Sequence, residues 1–243
     1  MLIINADDWG RSVAETDAAL RCYRAGRVTS VSAMVFMADS ERAAELAEEN
    51  GLDIGLHLNF SEQFNDTSCP DRLKTHQNRL IRFLRHNKFT QTVYNPFLRK
   101  AFAHSYRAQR DEFVRLFRKP PFRIDGHHHM HLCTNVLLSN LIPVGTTMRR
   151  NFSFWPGEKG FLNRAYRGLV DRWLARRYRL ADYFFDLTQC IEGKKLDRVA
   201  ALAKSSNVEL MTHPTISAEK AFLMSDEFQG MLQHLEIGGY AMV

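Results

Sequence analysis

The first 58 residues alternate between short apolar runs and amphipathic helices, and this alternation constrains the fold more than any other feature. Strands are predicted at Leu2 to Ile4, Thr29 to Val35 and Asp53 to Leu58. Helices are predicted between them, at Val13 to Ala25 and Ser40 to Glu49. Because strands that alternate with helices pair in parallel through right-handed crossovers, the sequence predicts an α/β fold, either an open doubly wound sheet or a barrel.

A polar segment from Asn59 to Asn95 interrupts this alternation and contains one predicted helix, Arg79 to Arg85. The alternation then resumes. Helices are predicted at Phe97 to Arg118, Asn135 to Leu141, Asn163 to Arg177, Leu196 to Ala203 and Asp226 to Glu236, with strands at Thr146 to Arg150, Tyr183 to Leu187 and Val208 to Met211. With 243 residues, 45% of them hydrophobic, the chain is predicted to form one domain over 1–243 with an insertion at about 59–95.

The composition of the chain limits the cellular locations and the binding partners that are expected for it. The four cysteines are widely spaced and form no Cys-x-x-Cys pair, and no apolar run approaches the roughly 18 residues of a membrane helix, so a cytoplasmic protein is predicted. The net charge is +6, and nine basic residues against two acidic ones lie between Arg149 and Leu180. Such a segment is typical of a site for nucleic acid, anionic lipid headgroups or an acidic glycan, and equally of a solvated helix face.

Four of the ten histidines lie between Asp125 and His131. They follow Phe122-Arg123-Ile124, a short predicted strand, and if this strand continues, its period of two places Asp125, His127, His129 and His131 on one face. Imidazole is the commonest metal ligand in proteins, and a ligating histidine often has a carboxylate partner, so Asp125 is a candidate for that second role. A surface tract that binds metal adventitiously is the alternative.

Polar motifs follow four predicted strands, and the carboxyl ends of parallel strands share one edge where active sites are built. The motifs are Asp7-Asp8-Trp9-Gly10, His57-Leu58-Asn59, Asp125 to His131 and Thr212-His213-Pro214. Each has a structural explanation, such as a turn, a helix cap or core packing. Together they supply the ligands, the base and the acid of a mononuclear metal hydrolase. An Asp/His ligand set suits Zn²⁺ and other transition metals better than Mg²⁺.

These motifs resemble the signatures of the YdjC-like carbohydrate deacetylases, the group that includes chitooligosaccharide and hopanoid-pathway deacetylases. The resemblance implies an irregular, TIM-barrel-like (β/α) barrel and hydrolysis of an N-acetyl group from an amino sugar. It also implies that Asp8, His57 and His127 bind one divalent ion, that Asp7 is the general base and that His213 is the general acid or oxyanion partner. The family is often described with Mg²⁺, so the ion is expected to be Mg²⁺, Zn²⁺ or another transition metal.

Two positions depart from the family pattern: Trp9 replaces a phenylalanine, and Asn59 stands where a small hydroxyl residue is common. We expect both to contact the substrate, together with His129, His131 and Arg149. The expected substrate is an acetylated saccharide, and the basic segment favours an anionic or lipid-linked one. A metallophosphoesterase or other barrel amidohydrolase is the alternative, and a nucleic-acid-binding protein with a structural ion is the second. No nucleic-acid partner is expected, and a homo-oligomer is left open.

Overall fold

The computed structural model describes residues 1–87, 89–155 and 157–242. Seven strands and ten α-helices lie in these ranges. The strands are β1 (Leu2–Trp9), β2 (Ser30–Ala33), β3 (Ile54–Leu58), β4 (Arg123–Gly126), β5 (Thr147–Met148), β6 (Tyr183–Asp186) and β7 (Val208–Thr212). The helices are α1 (Val13–Arg24), α2 (Ser40–Asn50), α3 (Asp71–Leu84), α4 (Arg99–Phe117), α5 (Thr134–Leu138), α6 (Phe161–Ala175), α7 (Leu187–Glu192), α8 (Leu196–Ala203), α9 (Ser217–Leu223) and α10 (Asp226–Leu232).

The strands follow the order β5-β4-β3-β2-β1-β7-β6 in a seven-stranded sheet. β1 pairs in parallel with β7, β3 with β4, and β6 with β7. The predicted α/β fold is therefore confirmed, because parallel strands joined by helices are its defining feature. A TIM-like barrel stays a prediction.

The chain divides into two compact units. The first consists of Met1–Asp7, Asp17–Val31 and Val144–Val243, and the second of Asp8–Thr16 and Ser32–Pro143. The boundary passes through β1, between the two adjacent aspartates. The prediction of a single domain stays a prediction.

In the first unit, β7 lies between β1 and β6, and the register places Ala6 opposite Thr212. The residues that follow this pair are Asp7 and His213. β6 ends with Asp186 at the same edge, because all three strands run in parallel. Three polar groups therefore end neighbouring strands of this unit.

In the second unit, β3 pairs with β4 so that His57 lies opposite Asp125. Both strands are buried throughout. Gly55 is required here, since a Cβ at this position would lie 2.6 Å from Cζ of the buried Arg123. The missing side chain makes room for a guanidinium beneath the end of the strand pair.

The inserted segment of the second unit contains a longer helix than the sequence predicted. The expected helix was Arg79 to Arg85, whereas α3 begins at Asp71, directly after Pro70. Leu73 and Leu80 are fully buried on its inner face, and α3 packs against α4. Proline next to a helix start is a known signal, which the sequence reading did not use.

All four cysteines are free and buried. Cys22 and Cys190 lie in the first unit, and Cys69 and Cys133 in the second. Burial raises the pKa of the Cys69 thiol to about 11 and those of Cys133 and Cys190 to about 12. These thiols are therefore protonated at neutral pH, and their role is packing.

Candidate metal centre and active site

The histidine-rich segment is not the strand that its alternating pattern suggested. β4 ends at Gly126, and His127–Leu132 forms a tight 3-10 turn in which His128 and His129 have φ of 52° and 58°. Gly126 permits this turn, because a Cβ there would lie 3.0 Å from His131. Because the strand ends before His127, the predicted single strand face of Asp125, His127, His129 and His131 was wrong.

Three of the predicted residues come together in the second unit at the ends of β1, β3 and β4. One ligand atom from each of Asp8, His57 and His127 lies within 4.8 Å of the other two. Asp8 Oδ1 is 2.9 Å from His127 Nδ1 and 3.4 Å from His57 Nε2. The three side chains are buried. The structure thus brings together the expected ligand set, and its role as ligands stays a prediction.

Asp8 adopts a left-handed backbone conformation, with φ of 65°. Aspartate and asparagine tolerate this conformation better than most residues with a Cβ. Burial alone would raise the pKa of Asp8, but hydrogen bonds with His127 and His57 outweigh it and hold this pKa well below its usual range. The carboxylate is therefore ionised and turned toward the two imidazoles.

The carboxylate of Asp125 contacts the Nδ1 atom of His57 and so fixes the orientation of the ring. Asp125 Oδ1 lies 2.8 Å from His57 Nδ1, while its Oδ2 accepts hydrogen bonds from Arg123 Nη1 and Ser32 Oγ, both at 2.6 Å. All four side chains are buried. This contact leaves His57 Nε2 facing Asp8, and the role of Asp125 as outer partner of a metal ligand stays a prediction.

His127 has an equivalent partner that the sequence analysis missed. Its Nε2 lies 2.9 Å from Oε2 of Glu62, which also contacts Arg11 Nη2 at 3.0 Å. The imidazole beside it, together with Arg11, lowers the pKa of Glu62 to about 2 against the opposing effect of burial. Glu62 lies in the insertion, outside every motif. Its one sequence signal is its position three residues after Asn59, because an Asx turn at Asn59 reverses the chain there.

The donor set fits a divalent cation. Adjacent ligands around an ion at roughly 2.0 to 2.2 Å are about 3 Å or slightly more apart, close to the two distances measured from Asp8. Burial lowers the pKa of His127, but Asp8 and Glu62 more than compensate and raise it overall, so the surroundings favour positive charge. Each imidazole also has a carboxylate at its other nitrogen, as metal-binding histidines commonly do.

Replacing Asp125 with asparagine is expected to weaken both the fold and the ion site. The change leaves the buried Arg123 without a carboxylate in this pair, and breaking a buried pair costs about 3 to 5 kcal/mol. Loss of an outer partner lowers metal affinity by about 10- to 100-fold. Urea unfolding and calorimetric titration with Zn²⁺ or Mn²⁺ measure the two effects.

Ser32→Ala is the matched control for this substitution, because it removes a hydrogen bond to Asp125 and one to Arg123 but leaves the ion pair and His57 in place. We expect it to cost about 1 kcal/mol and to preserve metal affinity. Equal ion affinities for Asp125→Asn and the wild type would contradict the role given to Asp125.

In the first unit, Arg149 holds the carboxylate of Asp7. Its Nη1 and Nη2 donate to Oδ2 and Oδ1 of Asp7, both at 2.7 Å, and its Nε donates to Glu209 at 2.8 Å. The guanidinium also stacks on Phe184, and Asn5 donates a further bond of 2.7 Å to Asp7 Oδ1. A planar guanidinium bound in this bidentate way fixes both the orientation and the ionised state of Asp7.

Three residues expected to contact substrate are turned inward instead. Arg149 is buried and its charge is engaged as described. Trp9 is fully buried, and its Nε1 donates to the carbonyl of Ala43 at 3.0 Å. Asn59 is also fully buried, and its Oδ1 accepts from the backbone nitrogens of Ser61 and Glu62. These side chains thus have internal partners in Asp7, Ala43 and the turn at Ser61 and Glu62, and their contact with substrate stays a prediction.

Contact of His129 and His131 with the substrate stays a prediction. His131 is fully buried and His129 half-buried, with ring centroids 6.4 Å apart. The left-handed turn separates them from the strand face on which they were expected.

His213 begins the loop after β7 and belongs to a second group of possible ligands, with Asp186 and Glu219. The buried Glu219 accepts from the backbone nitrogen of His213 at 2.5 Å and from Thr212 Oγ1 at 2.7 Å. Burial raises the pKa of Asp186, and the neighbouring negative charge of Glu219 raises it further. Glu219 thus anchors the backbone that carries His213.

The family model described as YdjC-like protein matches residues 1–234, nearly the whole chain. The chain belongs to this family. The expectation of an enzyme of the YdjC-like type is confirmed by this family match and by relatives named as chitooligosaccharide and carbohydrate deacetylases.

Relatives of this YdjC-like chain are similar at modest identity. The chitooligosaccharide deacetylase of Proteus mirabilis is 28% identical over 88% of this chain and 81% of its own length. The carbohydrate deacetylase of Vibrio campbellii is 28% identical over 97% and 86%. A crystal structure from Enterococcus faecalis V583, described as a proposed cellobiose-phosphate cleavage protein, has a TM-score of 0.71 at 21% identity, covering 99% of this chain and 97% of that one. This last likeness concerns the fold alone.

Within the described residues of the YdjC-like chain, none of the helices combines the length and the apolar character that crossing a bilayer requires.

Proposed function

We propose that this chain hydrolyses an N-acetyl group of an acetylated amino sugar or oligosaccharide with the help of one divalent metal ion. The observation that carries the proposal is the buried group of Asp8, His57 and His127, with a carboxylate at the outer nitrogen of each imidazole. The names of the relatives from Proteus mirabilis and Vibrio campbellii support a deacetylated saccharide as the product.

Asp8, His57 and His127 would hold the ion, through one carboxylate oxygen and two imidazole nitrogens. Such an ion polarises a carbonyl group and lowers the pKa of water, which an amide hydrolysis at neutral pH requires. The outer carboxylates Asp125 and Glu62 fix the two rings, so the ligand atoms are in place before the ion arrives.

Asp7, which directly precedes Asp8 in the chain, would accept the proton of the attacking water. Its carboxylate is oriented by Arg149 and Asn5, and an ionised carboxylate is the form that can act as a base. The guanidinium pairs with both Asp7 and Glu209, so neither carboxylate is an isolated buried charge.

His213 would supply the proton to the departing amine. Water oxygen bonds to the acetyl carbon, the carbon–nitrogen bond breaks, and the sugar nitrogen takes up a proton as acetate is released. Glu219 fixes the backbone of His213, and Asp186 lies within reach of the same imidazole. A positioned acid is needed at this step because an amide nitrogen is a poor leaving group until it is protonated.

The direct test is acetate release from a panel of acetylated oligosaccharides by the purified full-length chain. We expect acetate from at least one neutral N-acetylglucosamine oligomer, loss of release after chelation, and its return with Zn²⁺, Mn²⁺ or Mg²⁺. The panel includes an anionic acetylated sugar, because three basic residues, Arg150, Arg164 and Arg167, line a cavity of about 400 Å³ with five aromatic side chains in the first unit.

A sugar phosphate in the same panel tests the phosphoesterase alternative. Phosphate release without acetate release from any member would overturn the proposal. Acetate release that persists after complete removal of metal would overturn its metal dependence.

A further inference from the structure

Helix α6 presents an apolar face to solvent. Phe161 and Leu162 are each 82% exposed, Leu169 is 62% exposed and Tyr166 47%. Positions 162, 166 and 169 are spaced by four and three residues, so their side chains share one face of the helix. Trp173, four residues further on, extends this face toward the end of the helix and is half-exposed. We call these five residues the α6 face.

The other side of α6 is packed against its own unit. Leu174 is fully buried, and Asp171 binds Arg150 at 2.9 Å and Asn151 at 3.1 Å. The Arg167 guanidinium lies 5.1 Å from the ring centroid of Phe154. Leu174 and these polar contacts thus face the first unit, whereas the α6 face leaves five large apolar side chains at least partly in solvent, which an ordinary surface helix would bury.

The exposed charges around the α6 face are all basic in this part of the chain. They are Lys159 just before the helix, Arg172 within it and Arg176 at its end. Glu158 and Asp171 are the acidic residues nearby, and both are half-buried in ion pairs, with Lys195 and Arg150 respectively. The surface thus combines an apolar stripe with unneutralised positive charge.

We propose that the α6 face binds the surface of an anionic lipid bilayer. A 15-residue helix is about 22 Å long, too short to span the hydrocarbon core but suited to lie in the plane of the headgroups. Phe, Leu, Tyr and Trp side chains enter the boundary region while arginines meet anionic headgroups, which is the chemistry of interfacial helices.

Charge favours this occupant over a second copy of the chain. A symmetric dimer through the α6 face would enclose Arg172 and Arg176 of both copies in an interface whose exposed charges are all basic, and such like charges repel. A soluble polyanion would neutralise the arginines but leave Phe161 and Leu162 in water. A bilayer with acidic headgroups satisfies both the charges and the apolar stripe.

Co-sedimentation of the full-length protein with vesicles tests the proposal. We expect binding to vesicles of phosphatidylcholine mixed with an equal amount of phosphatidylglycerol, and much weaker binding to phosphatidylcholine alone. Phe161→Ser combined with Leu162→Ser should lower the partition coefficient by at least about tenfold. Arg172→Glu should lower it by roughly tenfold in dilute buffer and much less in about 1 M salt, where the screening length is about 3 Å.

Two substitutions outside α6 serve as matched controls. Met224→Ser removes an apolar side chain that is 48% exposed, and Arg21→Glu reverses an exposed charge on α1. Both should bind vesicles like the wild type. Circular dichroism of every variant shows that the fold is kept. Brominated acyl chains should quench Trp173 fluorescence, measured as the difference from Trp173→Phe, which removes the contributions of Trp9 and Trp155.

Three results would overturn the proposal. The first is unchanged vesicle binding after Phe161→Ser with Leu162→Ser. The second is binding that responds to Arg172→Glu but not to the apolar substitutions, which indicates electrostatic attraction alone. The third is a wild-type dimer, measured by light scattering, that leaves vesicles unbound and dissociates when the α6 face is changed, which identifies an interface between copies.

Discussion

Asp7→Asn is expected to lower kcat for acetate release by about 10²- to 10⁴-fold while leaving metal affinity unchanged. An asparagine amide cannot accept the proton of the attacking water, and a general base contributes a factor of this size. The proposed ligands are Asp8, His57 and His127, all unchanged in this variant, so the ion should still bind. Steady-state kinetics with a chitooligosaccharide and calorimetric titration of the metal measure the two quantities.

Glu209→Gln separates the loss of the base from the disturbance of Arg149. Glu209 shares the Arg149 guanidinium with Asp7 but lies in the interior of β7, away from the strand end. We expect both variants to lose stability, since each removes a carboxylate from one buried ion group, whereas only Asp7→Asn should lose turnover. Near wild-type acetate release by Asp7→Asn would show that another group takes the proton.

Asp8→Asn is expected to abolish tight metal binding and, with it, activity. Asparagine keeps the shape of the side chain and tolerates the φ of 65°, so the backbone at the end of β1 should be preserved. The change removes the anionic ligand, and we expect a loss of affinity greater than the about 10- to 100-fold caused by losing an outer partner. Calorimetric titration with Zn²⁺ or Mn²⁺ measures the change.

Asp39→Asn is the matched control for Asp8→Asn. Asp39 is also buried and in the second unit, and its carboxylate binds Arg42 at 2.8 Å rather than the imidazoles. This variant should bind metal like the wild type. An ion affinity that is the same in Asp8→Asn as in Asp39→Asn would exclude Asp8 as a ligand.

Most helices and strands could be predicted from the sequence, the helices because their apolar residues recur at helical spacing and the strands because they are short apolar runs. α8 was predicted with its observed bounds, and α1, β3 and β7 within one residue. The turn at His127–Leu132 was not predicted, because alternating histidines resemble a strand and no sequence pattern shows the positive φ of His128 and His129. Short helices such as α7 and α9 were missed, since six or seven residues give too little periodicity to detect.

The ligand set of the candidate site followed from motifs, whereas the direction of each polar side chain did not. Arg149 and Trp9 both stand where substrate contacts were expected, yet one neutralises Asp7 and the other packs under α2. A side chain at a strand end can point toward solvent or turn inward to pair with a buried group. The local sequence pattern is the same in both cases, so it does not distinguish them. Glu62 shows the converse, since a residue without a motif reaches His127 only through the fold of the insertion.

The free, buried cysteines allow the rate at which the chain opens to be measured. A thiol without solvent access reacts with an alkylating reagent only when the structure around it opens. Two thiols report on each unit, Cys22 and Cys190 on the first and Cys69 and Cys133 on the second. Pulsed alkylation followed by peptide mass spectrometry therefore yields separate opening rates for the two units of the native chain, without any engineered label. Labelling of all four at one common rate means that the whole chain opens cooperatively, whereas two distinct rates mean that each unit opens by itself.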